Sequence, residues 1–113
     1  MKKNSSLPLL ISLSRNHSEK TLQRLQLLLA NVNRGQQKLG TLKTFLAEYQ
    51  QQMLQSSSKG MEISSLHNYR MFLAKLGHAV QQQSEEVNTL GYKVDAARKQ
   101  WQSQERKRLS FET

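Results

Sequence analysis

One repeating spacing dominates the second half of this 113-residue chain. From Leu66 to Phe111, fourteen positions recur at alternating steps of three and four residues, and eleven of them are apolar or aromatic. This spacing keeps side chains on one face of an α-helix and marks the a and d positions of a coiled coil. A register held without interruption over about 45 residues favours a long coiled coil over a helix of a compact bundle.

The first half of the chain carries the same pattern. Between residues 25 and 53, nine positions recur at the same alternating steps, and eight of them are apolar or aromatic. Gly35 is the exception. The a positions are Leu25, Val32, Leu39, Leu46 and Met53, and the remaining d positions are Leu28, Leu42 and Tyr49.

The polar segment "QSSSKGMEIS" at residues 55–64 separates the two patterns and indicates a loop. A short loop makes long neighbouring helices antiparallel. We therefore predict an all-α fold, a long rod-like hairpin of two antiparallel coiled-coil helices that forms a single domain over residues 1–113. The first helix is expected over about 8–55, the loop over about 56–61 and the second helix over about 62–111. Apolar pairs then meet: Leu25 with Val94, Val32 with Val87, Leu39 with Val80, Leu46 with Leu73, and Met53 with Leu66.

The N-terminal segment "MKKNSSLPLLISLS" has two interpretations. Two lysines followed by a short apolar run are typical of a signal peptide, but no Ala-x-Ala cleavage site follows. The alternative is a helix start, with Ser6 as the N-cap and Pro8 in the first turn. The shortness of the apolar run and the missing cleavage site favour the helix start.

The residues of the chain do not form a catalytic constellation. His17, His67 and His78 lack the spacing of metal ligands, and they are expected on the surface. Glu85 and Glu86 are adjacent, so on a helix they diverge by about 100° and cannot flank a substrate. The chain has no cysteine and no glycine-rich phosphate loop. We expect no enzyme activity, no cofactor, no metal and no small-molecule substrate.

The charge of the chain predicts an acidic partner. Seventeen Lys and Arg face eight Asp and Glu, giving a net charge of +9, and only 36% of the residues are hydrophobic. Basic residues from both helices meet near the chain termini of the predicted hairpin and form a candidate docking tip. Its members are Arg15, Lys20, Arg24, Arg98, Lys99, Arg106, Lys107 and Arg108. Trp101 lies at an a position and is expected to pack between the helices. Binding of nucleic acid is the alternative that the net charge allows.

A second candidate surface lies on the flank of the hairpin. Phe45 and Phe72 each precede an a position, and in an antiparallel pair such positions meet on one side. The two rings are therefore expected roughly opposite each other and partly exposed. Exposed aromatic side chains on a charged surface are favoured anchors of protein interfaces, although they can also simply cover the helix contact.

Two short elements give a family resemblance. The run "NYRMFLAKLGHAV", followed by "VDAARKQW", is similar to the flagellar export protein family FliJ. The shared features are Asn68-Tyr69-x-x-Phe72, then Lys93-Val94-Asp95-x-Ala97, and Trp101. The segments "RGQQKL" and "EYQQQML" of the first helix fit the same pattern, and the resemblance extends from about residue 8 to the end.

The resemblance implies a cytoplasmic, non-enzymatic component of the flagellar type III export apparatus, peripheral at the inner face of the cytoplasmic membrane. Its coiled coil resembles the central stalk of rotary ATPases. The implied partners are the hexameric export ATPase and its regulator, the cytoplasmic domain of the export gate, and export chaperones. The basic tip would dock into the ATPase. The implied gate-binding strip is Lys38, Leu42, Phe45, Tyr49, Phe72, Leu76, Ala79 and Gln83. The equivalent stalk of a virulence injectisome shares this architecture and is an open alternative.

Overall fold

A computed structural model describes residues 2–113 of the chain, with side chains from residue 6 onward. It contains two long helices, α1 over Lys2–Ser58 and α2 over Ile63–Glu112. Both elements within residues 2–113 are helical, and together they confirm the predicted all-α fold of two long helices joined as a hairpin.

The a and d positions predicted from the spacing are the positions that the structure buries. All nine in α1 and all fourteen in α2 are buried or half-buried. Most of them are only half-buried, because two helices cover each other on one face each. The histidines His17, His67 and His78 are exposed, as expected.

The turn between the helices is shorter than the predicted loop. Lys59 to Glu62 connect the helices, and Gly60 has a φ of 85°, a left-handed conformation that glycine adopts without a steric penalty. The serines counted as loop residues belong to α1. Ser57 Oγ donates to the Leu54 carbonyl at 3.2 Å and Ser58 Oγ to the Gln55 carbonyl at 2.8 Å, so both hydroxyls bond within the helix.

The start of α1 also differs from the prediction. The helix begins at Lys2 rather than near residue 8, so Ser6 is a helical residue and not an N-cap. Pro8 lies inside the helix, where its ring nitrogen has no hydrogen to donate to the preceding turn.

The chain divides into two compact units. Unit 1 combines Met1–Val32 with Thr89–Thr113, and unit 2 is Asn33–Asn88. In unit 1, the core is formed by Leu25, Val94 and Ala97, with Leu28, Val32 and Trp101 packed against it. The core thus contains the predicted pair of Leu25 and Val94, and Trp101 packs between the helices as expected.

Candidate partner-binding surfaces

Three aromatic rings form a cluster in unit 2. The Phe72 ring stands edge-on to the Tyr49 ring, with ring centroids 4.9 Å apart and an angle of 66° between the planes. The Tyr69 ring is tilted by 58° against the same tyrosine at 6.5 Å. The Tyr69 hydroxyl donates to Gln52 Oε1 at 3.2 Å. Tyr49 on α1 is therefore the ring that both aromatics of α2 share.

The aromatic cluster lines an open concavity of about 340 Å³, together with Asn68. Asn68, Tyr69 and Phe72 are the residues of the Asn-Tyr-x-x-Phe element that carries the family resemblance. On a helix, residues four apart share a face, so the element places its polar and aromatic side chains around one hollow. The hollow can accept an apolar side chain and offers the Asn68 amide beside it.

Phe45 and Phe72 are partly exposed, as their sequence positions predict. Phe45 retains 46% of its accessible surface and Phe72 retains 45%. The ring partner of Phe72 is Tyr49 and not Phe45. About half of each phenylalanine is thus free to contact another molecule, while the other half is already held by the hairpin.

A second concavity, of about 250 Å³, lies in the same unit. Its lining combines four residues of the predicted strip with two neighbours: Lys38, Leu42, Ala79, Gln82, Gln83 and Glu86. Six of the eight strip residues therefore line one of the two concavities. Phe45 and Leu76 line neither, and Leu76 is half-buried.

Gln83 is the strip residue least accessible to a partner. Its side chain is only 5% exposed, and its Nε2 donates to the Gly35 carbonyl at 3.1 Å. Gly35 and Gln83 are the residues that interrupt the apolar pattern in this part of each helix. They meet across the hairpin through this hydrogen bond.

A polar network joins the helices of unit 1. Arg15 pairs with Glu112, Arg108 bridges Glu112 and Glu105, and the Ser18 hydroxyl donates to Glu105. Two of the predicted docking residues, Arg15 and Arg108, are thereby committed to structural ion pairs. The network couples α1 to α2 through the Arg15–Glu112 ion pair and the Ser18–Glu105 hydrogen bond.

The network shifts the ionisation of its central pair. The hydrogen bonds from Arg108 and then from Ser18 lower the pKa of Glu105 from its ordinary 4.5 to about 2. The hydrogen bond to Glu105 likewise raises the pKa of Arg108. Glu105 therefore stays a carboxylate at any neutral or mildly acidic pH.

The other six predicted docking residues are exposed. Arg98 pairs with Asp95 at 3.6 Å, within one helix. Lys20, Arg24, Lys99, Arg106 and Lys107 make no ion pair among the residues that the structure describes. Glu105 and Glu112 are two of the four acidic residues of unit 1, and both are held inside the network. The outward charge of this unit is consequently almost all positive.

Several of these features went unpredicted, although some signals were present. Continuing the three–four spacing backward from Leu25 reaches Thr21, Ser18 and Ser14, and both serines are buried. Polar residues at three a and d positions of α2, Gln83, Gln104 and Arg108, were a further sign of polar contacts between the helices.

The described part of the chain contains no group of three His, Asp or Glu residues that could hold a metal ion. It also contains no helix with a stretch apolar enough to cross a membrane.

The fold and its surfaces define a helical-hairpin protein with an aromatic surface in one unit and a basic surface in the other. The family model described as "Flagellar FliJ protein" matches residues 2–113, and the chain belongs to this family. No curated protein and no solved structure matches the chain. Family membership makes it a non-enzymatic component of flagellar type III export.

Proposed function

We propose that this protein is a stalk that couples the hexameric export ATPase to the export gate. The supporting observation is that the basic surface belongs to unit 1 and the aromatic surface belongs to unit 2. Unit 1 holds eleven Lys and Arg against four Asp and Glu, whereas unit 2 holds six against four. The aromatic cluster and both concavities belong to unit 2. A coupling protein needs two surfaces that select different partners.

The basic surface of unit 1 is the proposed ATPase-docking site. Lys99 and Arg106 are seven residues apart on α2, so they share one outward face of the helix. Both are exposed, and neither forms an ion pair with an acidic residue of the described part of the chain. An acidic surface on the ATPase or its regulator would supply the missing countercharges and steer the encounter. Binding of this surface would stabilise the ring and stimulate ATP hydrolysis.

The strip of unit 2 is the proposed gate-docking site. The cytoplasmic domain of the gate would place an apolar side chain in the hollow beside Tyr49 and Phe72. Phe45 would add a second aromatic anchor, since aromatic side chains are enriched in the buried centre of protein interfaces. The strip is also accessible to export chaperones, which would exchange with the gate. These contacts would keep the protein in the cytoplasm, at the inner face of the membrane.

Charge reversal on the outward face tests the ATPase contact. We expect the Lys99→Glu/Arg106→Glu variant to lose most stimulation of ATP hydrolysis and of ring assembly, because two attractive contacts become repulsive. The matched control is Lys43→Glu/Lys75→Glu, which changes net charge equally but lies in unit 2. ATPase activity and ring assembly are measured with and without each variant.

The Lys43→Glu/Lys75→Glu control distinguishes a local docking site from an effect of net charge. Equal loss in both variants indicates that net charge alone matters, and it argues against a docking site. Binding to DNA that weakens steeply with salt, together with no effect on the ATPase, supports a nucleic-acid-binding protein instead.

A further inference from the structure

The polarity of α1 is inverted near its beginning. Along most of α1, apolar side chains face α2. Near the start, the buried positions facing α2 are Ser14 and Ser18, with Ile11 half-buried. Leu9 and Leu13 face outward, Leu10 lies on the flank, and Leu7 continues the three–four spacing beyond Ile11. All four are exposed and make up the leucine surface.

The leucine surface is continuous on the helix. Leu7, Leu10 and Leu13 are successive neighbours three residues apart, and Leu9 is four residues from Leu13. At 100° per residue, the four side chains cover an arc of roughly 160°. Leu109 of α2 is also exposed in the same unit. The packing of the hairpin does not account for leucines that it leaves outside.

The sequence that contains the leucine surface is mostly basic. Lys2, Lys3 and Arg15 precede Glu19, which is the first acidic residue of the chain. Glu112, which pairs with Arg15, is neutralised from both sides by arginines. On α2, Arg106 and Lys107 are exposed close to Leu109 in sequence. An occupant of this surface must therefore be apolar and lie beside negative charge.

We propose that the leucine surface binds directly to the surface of an anionic lipid bilayer. A helix that lies in the bilayer interface inserts leucines at the acyl boundary while cations contact the anionic headgroups. The leucine surface is wide, aliphatic and without an aromatic ring. A fluid bilayer accommodates such a surface, whereas protein interfaces favour aromatic anchors in defined pockets. The contact is peripheral and independent of the gate.

Vesicle co-sedimentation of the full chain tests the proposal. We expect binding to vesicles of equimolar phosphatidylglycerol and phosphatidylcholine, weakening with salt, and about tenfold less binding to pure phosphatidylcholine. Leu9→Ser/Leu13→Ser is expected to reduce binding about tenfold, because two inserting side chains lose their apolar character.

The matched control is Leu27→Ser/Leu29→Ser. Leu27 and Leu29 are 61% and 42% exposed, close to the 61% and 45% of Leu9 and Leu13, and they lie on the same helix. We expect this control to bind as the original chain does. Equal loss in both variants overturns the proposal, as does binding that ignores lipid charge.

Tryptophan fluorescence provides a second test, which does not depend on whether the serine variant keeps its helix. Leu9→Trp in a Trp101→Phe background should show a blue shift of its fluorescence on the anionic vesicles. No shift overturns the proposal. A dimer without vesicles that Leu9→Ser/Leu13→Ser converts to a monomer also overturns it, since the surface then joins two copies. ATPase and gate assays performed without lipid test the proposed function separately.

Discussion

The double substitution Phe45→Ala/Phe72→Ala separates a binding role of the aromatic strip from a packing role. Burying a phenylalanine fully stabilises by about 1.5–3 kcal/mol, and both rings are about half exposed, so each loses about 1 kcal/mol. The edge-on contact with Tyr49 adds about 0.5–1.5 kcal/mol at Phe72. The expected loss of stability is about 2–4 kcal/mol, and the helix content should persist.

Gate binding should weaken strongly while the helices persist. Removing one central aromatic anchor typically costs at least about 2 kcal/mol of binding free energy, which corresponds to about 30-fold in Kd. Circular dichroism measures the helix content and melting, and titration calorimetry measures affinity for the gate domain. The matched control is Met71→Ala, because Met71 is half exposed on α2 beside Phe72. Unfolding of the double variant shows that the rings are core, and unchanged affinity refutes the docking strip.

Two further predictions concern unit 1. Leu25→Ala should cost about 2–5 kcal/mol in thermal denaturation, since Leu25 belongs to the small buried core, and a loss below about 1 kcal/mol would contradict that packing. Acidification should also destabilise the chain. The pKa of Glu105 is lower in the folded state, so its stabilising effect is complete above pH 4.5 and disappears as the pH falls toward 2. Glu105→Gln should flatten the fall of melting temperature over this range, and an unchanged slope refutes the assignment.

The sequence was sufficient for the fold because one physical requirement repeats along it. Each helix of a two-helix hairpin must bury one row of apolar side chains, and that row appears in the sequence as the three–four spacing. The same spacing explains the family elements. Val94 and Ala97 of the second element are core residues, and Asp95 between them pairs with Arg98.

The ends of α1 were harder to predict because their signals are local and ambiguous. Ser6 and Pro8 are typical of a helix start, yet they are tolerated inside the first turns. The serines before Lys59 are typical of loops, yet their hydroxyls bond carbonyls of their own helix. The first and the last residue of α1 both depend on how far α2 extends beside it.

The polar contacts depended on side-chain geometry that a spacing pattern does not contain. Arg15 looks like a free surface cation in the sequence. Only the approach of Glu112 from α2 shows that Arg15 is neutralised. The strip prediction has the same weakness at Gln83, which the structure buries against a backbone carbonyl.

The buried amide of Gln83 influences how the two helices align. An apolar heptad pattern is satisfied equally well after a slip of seven residues. Such a slip places Gln83 opposite a leucine, either Leu28 or Leu42, instead of Gly35. The amide then loses its carbonyl partner while still buried, which costs about 1–3 kcal/mol. The Gly35–Gln83 contact therefore selects one register, as buried polar residues do in other coiled coils.

A lengthened turn tests this selection, because the short turn at Gly60 also opposes a slip. We expect a chain with seven Gly and Ser residues inserted after Lys59 to keep one register. The same chain with Gln83→Leu should populate two. Spin labels at Ala47→Cys and Ala74→Cys, both exposed positions, report the register as an inter-label distance that a slip changes by up to about 10 Å. A single distance in both chains means that Gln83 contributes nothing to the alignment. Two distances in the chain that retains Gln83 mean that the Gly35–Gln83 contact is too weak to select one register.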